Sequence, residues 1–206
     1  MLHVGLTGGI GAGKSAVSRC FREHGAHIID ADRLARELLA PGSDLLEEVA
    51  AAFGGDLLDE DGRLRRGLLA ERVFADPDAR RRLDALLHPR INALERERAA
   101  AIGARLPAAV VIYAAPLLLE SGAADGVDRV LVVDLPETLQ RQRAIARGDR
   151  GPEQVRAIME AQWPREERLA HADDVIDNSG PWPATAEQIE ALMERYRALA
   201  GEGAVP

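Results

Sequence analysis

Lysine and cysteine are nearly absent from this sequence. Of its 206 residues, 26 are lysine or arginine, and the one lysine among them is Lys14. The one cysteine, Cys20, can form no disulfide within the chain and no cysteine-based metal site, which is typical of a protein in a reducing cytosol. Because Cys20 falls inside a predicted helix, we expect a small, buried apolar side chain there.

Other absences exclude whole classes of protein. The net charge is −8, so the chain lacks the basic surface by which proteins bind nucleic acid. No apolar run approaches the roughly 20 residues of a membrane span. The apolar segment of a signal peptide is also missing, since Met1 leads directly into the first predicted strand. We therefore expect a cytoplasmic protein without nucleic-acid or membrane partners, built as one domain or as one domain with a sizeable insertion.

The stretch Gly8–Ser15 has the pattern G-x-x-x-x-G-K-S, between a predicted strand and a predicted helix. Its glycines allow backbone N–H groups to surround phosphate oxygens, and the helix adds the positive end of its dipole. In such a loop Lys14 neutralises the β- and γ-phosphates, and the Ser15 hydroxyl is a ligand of Mg²⁺. A compact ammonium fits between two phosphates better than a planar guanidinium, which explains a lysine at this one position.

Strands and helices alternate along the chain, which predicts an α/β fold with a parallel sheet. The five predicted strands lie near residues 2–7, 27–30, 108–113, 129–134 and 174–177. Between the second and third strands, residues 43–106 have helical patterns without a clear strand, and we expect Pro89 to kink or break one of these helices. We interpret this stretch as a helical insertion that binds a second substrate.

Ligands of parallel sheets bind at the carboxyl ends of the strands. Four segments should therefore lie side by side: the glycine-rich loop, Asp30 with Asp32, the turn 116–120, and the loop at Asn178. A kinase needs a carboxylate near the acceptor hydroxyl, and Asp32 is our candidate for the general base. Asp30 is a second candidate, or a partner in Mg²⁺ hydration. Alternatively, Asp30 caps the following helix and Asp32 interacts with its dipole.

The third predicted strand lacks the terminal aspartate of a Walker B motif, since it ends in Ile112-Tyr113-Ala114-Ala115. If a carboxylate on this side holds Mg²⁺, it is Glu120; otherwise the ion depends on Ser15, phosphates and water. Glu120 could equally contact the acceptor or be a solvated turn residue.

Four arginines lie where one predicted helix ends and the next begins: Arg141, Arg143, Arg147 and Arg150. Arg143 and Arg147 are one helical turn apart, so both can stabilise charge on a transferring phosphoryl group. The alternative is that they are ordinary exposed arginines. His88 precedes Pro89 and either contacts a substrate phosphate or has a structural role; no other histidine has the neighbours of a zinc ligand.

Five stretches spread over nearly the whole chain share their order and spacing with one enzyme family: Leu6–Ser15, Ile29–Asp32, Leu87–Pro89, Pro116–Glu120 and Ala172–Asn178. In these stretches the chain resembles dephospho-CoA kinase. The Thr-Gly-Gly-Ile-Gly form of the loop, with Asp-Ala-Asp after the second strand, is far more specific than a bare P-loop. The resemblance implies ATP-dependent phosphorylation of the ribose 3′-hydroxyl of dephospho-CoA, the last step of coenzyme A synthesis.

The resemblance also implies a three-layer P-loop fold in a single domain of three parts. These are a nucleotide core (about 1–40, 107–135 and 172–200), a helical acceptor-binding insertion (43–106) and a lid (136–165). By the resemblance, ATP is bound by Gly8, Gly11, Ala12, Gly13, Lys14, Ser15, Ala16, Asn178 and Gly180. The catalytic residues are Asp32, Lys14, Arg143 and Arg147, and dephospho-CoA is contacted by Asp32, His88, Leu117 and Glu120.

Rival functions remain at this level. Another small-molecule P-loop kinase, acting on a nucleoside monophosphate or a sugar, would share the core and differ in its acceptor. A GTPase is excluded because its Asn-Lys-x-Asp signature needs a second lysine. A structural protein with a vestigial loop is disfavoured by intact Lys14, Ser15 and Asp32. We expect a monomer or a weak homo-oligomer.

The dipeptide Trp163-Pro164 after Gln162 is unusual for the family that the chain resembles, and the sequence gives no reason for it.

Overall fold

A computed structural model describes residues 1–148 and 151–202, apart from the side chains of residues 74 and 75. Arg150 of the arginine cluster therefore lies outside the described residues. Within the described ranges, five strands form one parallel sheet in the order β2-β3-β1-β4-β5. The strands are β1 (Leu2–Gly8), β2 (His27–Asp30), β3 (Val110–Ala114), β4 (Arg129–Asp134) and β5 (Asp174–Asp177). The predicted α/β fold with a five-stranded parallel sheet is confirmed.

Helices connect the strands. In chain order, the helices are α1 (Lys14–Glu23), α2 (Ala31–Leu38), α3 (Asp44–Phe53), α4 (Arg66–Ala75), α5 (Pro77–Arg105), α6 (Glu137–Ala146), α7 (Pro152–Ala161), α8 (Arg165–Ala170) and α9 (Trp182–Glu202). Short 3₁₀ turns occupy Gly55–Leu57 and Ala123–Gly126.

The chain divides into two compact units, one of residues 1–30 and 96–206 and the other of residues 31–95. The first, which we call the sheet unit, has β1 at the centre of its sheet, and every residue of β1 is buried. Its main apolar core joins the inner strands to α1 and α9. Cys20 of α1 is part of this core, which confirms that it is a buried apolar side chain.

The second unit, which we call the helical unit, is built around an apolar cluster of leucine and valine side chains from α3, the 3₁₀ turn and α4. The Ser43 hydroxyl caps α3 by accepting a hydrogen bond from the Leu46 N–H at 3.3 Å. Asp76 does the same for α5, where its carboxylate accepts from the Asp78 N–H at 2.8 Å and Pro77 is the first helical residue.

Of the two outcomes predicted for Pro89, the helix break is wrong, and the kink stays a prediction. Helix α5 runs without interruption through Pro89 for 29 residues. A proline inside a helix removes one hydrogen bond and costs about 3 kcal/mol. Packing offsets this cost, since Leu83, Leu86 and Leu87 contact the apolar cluster of the helical unit before the proline, and Ile91 is buried after it.

Candidate active site

The glycine-rich loop joins the carboxyl end of the central strand to the first turn of α1. Its first residue, Gly8, pairs in register with Val133 of β4, and Leu6 pairs with Ala114 of β3, so the loop emerges between the ends of these two strands. The Lys14 ammonium donates to the carbonyl oxygens of Gly8 and Gly9, at 2.7 and 3.0 Å. The ammonium thus lies against the backbone of the loop, and this loop is the one that would bind a phosphate.

Helix α6 lies directly against the loop. Gly11 has a left-handed φ of +74°, and a Cβ at this position would overlap the carbonyl oxygen of Gln140 in α6. Only glycine adopts such a φ without strain, and here it also leaves room for the neighbouring backbone. The close approach of loop and helix therefore depends on the absence of a side chain at residue 11.

Asn178, which follows β5, is hydrogen-bonded to the backbone of the loop. Its side-chain nitrogen donates to the Ala12 carbonyl at 2.7 Å, and its side-chain oxygen accepts from the Thr185 hydroxyl at 2.9 Å. Both ends of the buried amide are thus hydrogen-bonded within the protein. Gly180, two residues further on, is exposed.

A second side-chain amide, that of Gln162, is hydrogen-bonded to another residue of the loop. Its side-chain oxygen accepts from the Ile10 N–H at 2.9 Å, and its nitrogen donates to the Pro116 carbonyl at 3.2 Å. Gln162 follows α7 and is 8% exposed. Sequence reasoning missed this residue, because a glutamine at the end of a helix has no pattern that names partners so distant along the chain.

Glu120, in the turn after β3, is not a solvated turn residue. One of its carboxylate oxygens accepts from the Trp163 N–H at 2.7 Å, and the other is buried. The buried guanidinium of Arg168 donates to the Trp163 carbonyl. Burial lowers the pKa of Arg168, and the negative charge of Glu120 opposes this effect. Leu117, in the same turn, is half-buried.

The arginines of α6 differ in their surroundings. Arg143 is half-buried and donates to the Asn178 carbonyl at 2.8 Å, which brings it to the same side of the sheet as the loop. Arg147 directly follows α6 and is exposed. Arg141 lines a cavity of about 810 Å³ between α6 and α7. Among the three arginines of the cluster that the structure describes, Arg143 is therefore the one that hydrogen-bonds to Asn178, which in turn bonds to the loop.

A carboxylate at the end of β4 also escaped the sequence analysis. Asp134 accepts two hydrogen bonds from Arg165, at 2.8 and 2.6 Å. This bidentate geometry is the strongest form of an arginine–carboxylate pair. It attaches the start of α8 to the carboxyl edge of the sheet.

The remaining candidates lie on or beside helices. Asp30 is the exposed last residue of β2, and α2 begins directly after it. In the helical unit, Asp32 is exposed in the first turn of α2, and its carbonyl oxygen accepts from the Arg36 side chain at 3.1 Å. His88 of α5 lies with its Nε2 3.6 Å from a carboxylate oxygen of Asp84.

Among the described residues, no group of three or more histidine, cysteine, aspartate or glutamate side chains could hold a metal ion. The Ser15 hydroxyl is exposed in the first turn of α1, as a metal ligand beside bound phosphates must be. No helix in the described ranges has the length and apolarity that crossing a membrane requires.

A parallel sheet whose central strand ends in a G-x-x-x-x-G-K-S loop, with Arg143 of α6 beside it, is typical of a P-loop kinase. Residues 2–183 match the family model described as dephospho-CoA kinase. The chain belongs to the dephospho-CoA kinase family.

Individual relatives and solved structures are similar to this chain over nearly its whole length. A dephospho-CoA kinase of Methylococcus capsulatus is 49% identical over 97% of this chain and 99% of its own length. A crystal structure from Thermus thermophilus is 32% identical, with a TM-score of 0.77 over 94% of this chain and 97% of that one. The dephospho-CoA kinase of Campylobacter jejuni is 25% identical, with a TM-score of 0.72 over 95% and 97% of the two chains.

Proposed function

We propose that this chain transfers the γ-phosphoryl group of ATP to the ribose 3′-hydroxyl of dephospho-CoA, giving coenzyme A and ADP. The observation that carries the proposal is the family match over residues 2–183, which includes an intact phosphate loop with Lys14 and Ser15. The rival acceptors, a nucleoside monophosphate or a sugar, have no comparable support.

On this proposal, the phosphates of ATP bind in the loop from Gly11 to Ala16, to backbone N–H groups other than those of Ala12 and Ala16, which donate to the Gly9 and Gly13 carbonyls. Lys14 exchanges its two carbonyl partners for phosphate oxygens, and its charge then balances the β- and γ-phosphates. Arg143, already held beside Asn178, stabilises charge on the transferring group from the α6 side. Arg147 joins it from the end of α6, and Gly180 lies at the adenine.

Mg²⁺ fits this site through oxygen ligands. The exposed Ser15 hydroxyl is a hard ligand of the type that Mg²⁺ prefers, and phosphate oxygens and water complete such a shell. When bound, the ion neutralises charge on the β- and γ-phosphates.

For the acceptor, we propose that Asp32 orients the 3′-hydroxyl and accepts its proton as phosphoryl transfer proceeds. Its exposed position leaves the carboxylate accessible to a substrate. His88 and Leu117 are further proposed contacts of dephospho-CoA. Glu120 is another proposed contact of dephospho-CoA, and one of its carboxylate oxygens also accepts from the Trp163 N–H.

The test is an assay of the purified protein with ATP, Mg²⁺ and dephospho-CoA, in which coenzyme A and ADP are separated and quantified. We expect both products to form in equal amounts. AMP, shikimate and gluconate serve as competing acceptors in parallel reactions. Turnover of one of these with none of dephospho-CoA would overturn the proposal.

A further inference from the structure

The segment between α7 and α8, Gln162–Pro164, contacts both the phosphate loop and the turn after β3. We call this segment the connector. Gln162 contacts Ile10 of the loop and Pro116 of the turn, while the Trp163 N–H donates to Glu120 of the same turn. Two strand-end loops are thus joined through one short stretch of chain.

The Gln162 amide has a single orientation that satisfies both neighbours. Its oxygen faces an N–H donor, on Ile10, and its nitrogen faces a carbonyl acceptor, on Pro116. Because the side chain is buried, an unmade bond at either end leaves a polar group without water to replace its partner. The Ile10 N–H is therefore already hydrogen-bonded within the protein.

This contact fixes one of the two ends of the loop's central turn. At the other end Asn178 holds the Ala12 carbonyl, and between them the Ala12 N–H donates to the Gly9 carbonyl at 3.1 Å. Gly11 lies between these two fixed peptide groups and has a left-handed φ. Because glycine has no Cβ, its own sterics do not favour this φ over others. External contacts rather than local sterics therefore define the path of the loop.

We infer that Gln162 is a positioning residue for phosphoryl transfer: it fixes the Ile10 peptide so that the following loop N–H groups hold the phosphates in the reactive geometry. The inference rests on the proposed function. Gln162 acts through the loop backbone rather than on the substrate. Electrostatic stabilisation by backbone donors depends on their being in place before the reaction, so a small displacement of the loop reduces the rate.

The connector is also attached by contacts that do not involve Gln162. Arg165 forms the bidentate pair with Asp134, Arg168 donates to the Trp163 carbonyl, and Glu120 accepts from Trp163. A substitution of Gln162 should therefore leave the connector folded and alter mainly the loop.

The experiment compares Gln162→Leu, Gln162→Glu and a control, Gln154→Leu. Gln154 is an exposed glutamine of α7 whose oxygen accepts from the Gly151 N–H, so the control makes the same substitution and loses one exposed hydrogen bond away from the loop. For Gln162→Leu we expect kcat to fall about 10- to 100-fold, with the KM values for ATP and acceptor changed less than about threefold. Hydrogen exchange of the Ile10 amide should become faster.

Gln162→Glu adds a pH readout. Its carboxylate still accepts from the Ile10 N–H, but its other oxygen repels the Pro116 carbonyl oxygen because both are acceptors. The protonated form can instead donate to that carbonyl. Burial favours protonation of such a carboxyl. We therefore expect kcat of Gln162→Glu, relative to wild type, to rise as the pH falls from about 8 to about 6, while the ratio for Gln162→Leu stays constant.

A purely structural role would give a different result. If Gln162→Leu lowers the melting temperature while kcat stays within about twofold of wild type, the inference is wrong; unchanged exchange at Ile10 overturns it as well. Failure of the proposed function appears separately, as wild-type protein that does not phosphorylate dephospho-CoA. The kcat ratios are then measured with whichever acceptor the wild type does phosphorylate.

Discussion

The two units of the chain build their candidate sites in different ways. In the sheet unit, the phosphate loop is braced by two buried amides, Gln162 and Asn178, which hydrogen-bond to loop backbone. In the helical unit, Asp32 is exposed on a helix and His88 is partly exposed beside Asp84, while the interior is a cluster of apolar side chains. In the sheet unit the candidate site depends on the path of the loop backbone, whereas in the helical unit it depends on exposed or partly exposed side chains.

This difference follows from what each unit is proposed to bind. Phosphate recognition uses N–H groups, so the backbone itself must be held in place. An exposed acid on a helix lies outside the apolar core, so its replacement leaves the core packing intact. Substitutions in the helical unit should therefore separate activity from stability, whereas those near the loop should affect both.

The largest effect is expected from Asp32→Asn. As a general base it should contribute about 10²–10⁴-fold to kcat, while its exposure should keep the change in unfolding free energy within about 0.5 kcal/mol. Steady-state kinetics, calorimetric ATP binding and thermal unfolding measure the three quantities. Asp44→Asn is the matched control, since Asp44 is also exposed in the first turn of a helix of this unit. A loss confined to ATP binding would instead assign Asp32 to the metal.

Lys14→Arg should rank second. The substitution keeps the charge but replaces a compact ammonium by a planar group that cannot make the same contacts with the Gly8 and Gly9 carbonyls or with phosphates. We expect kcat to fall about 10²–10³-fold, measured at saturating ATP. Arg19→Lys, on an exposed position of α1, is the reverse exchange and should have no effect. Near-normal turnover of Lys14→Arg would mean that Lys14 does not contact the phosphates.

A pair of glycines compares the units directly. Gly11 and Gly62 have nearly the same left-handed φ, +74° and +71°, but a Cβ at Gly11 meets the Gln140 carbonyl and one at Gly62 meets no atom of the described residues within 4 Å. Gly62→Ala should cost about 1–2 kcal/mol of unfolding free energy from strain alone. Gly11→Ala should cost about 2–5 kcal/mol because the helix must also move. Urea unfolding of both variants tests this, and equal losses would contradict the close packing of α6 on the loop.

The smallest effect concerns pH. Asp174 of the sheet unit is buried, which by itself raises its pKa, but hydrogen bonds from Arg129 and Tyr196 and the charges of Arg129 and Arg195 bring the pKa below its ordinary value. The carboxylate therefore stabilises the fold above its unfolded pKa of about 3.9. This stabilisation is lost as the pH falls through the lower, folded-state pKa.

Urea unfolding at a series of pH values below neutrality measures the loss. Asp174→Asn should flatten the acid limb of the stability curve. The exposed pair of Glu48 and Arg90 in the helical unit serves as the control, because exposed ion pairs contribute little. If Glu48→Gln flattened the pH dependence of the unfolding free energy as much as Asp174→Asn, the burial of Asp174 would not make its ion pairs more stabilising than the exposed pair.

Local patterns account for the parts of the molecule that sequence reasoning predicted. The phosphate loop and the burial of Cys20 each depend on residues close together in the chain or on one amphipathic helix. Pairings between distant residues could not be predicted, and the bond from Ile10 to Gln162 spans 152 positions. Helix α5 passes through Pro89 because packing outweighs a local preference. The roles of Asp32 and His88 come from the family resemblance and stay predictions.

The position of Lys14 has a consequence for chemical labelling. Acylating reagents modify amines, and this sequence contains one side-chain amine, held against the phosphate loop by two carbonyl oxygens. Apart from the α-amino group, an acyl mark on an amine of this chain therefore reports on that loop. A bound nucleotide would shield this amine from the reagent, so the fraction of chains that gain no mass at Lys14 would measure how many sites are occupied.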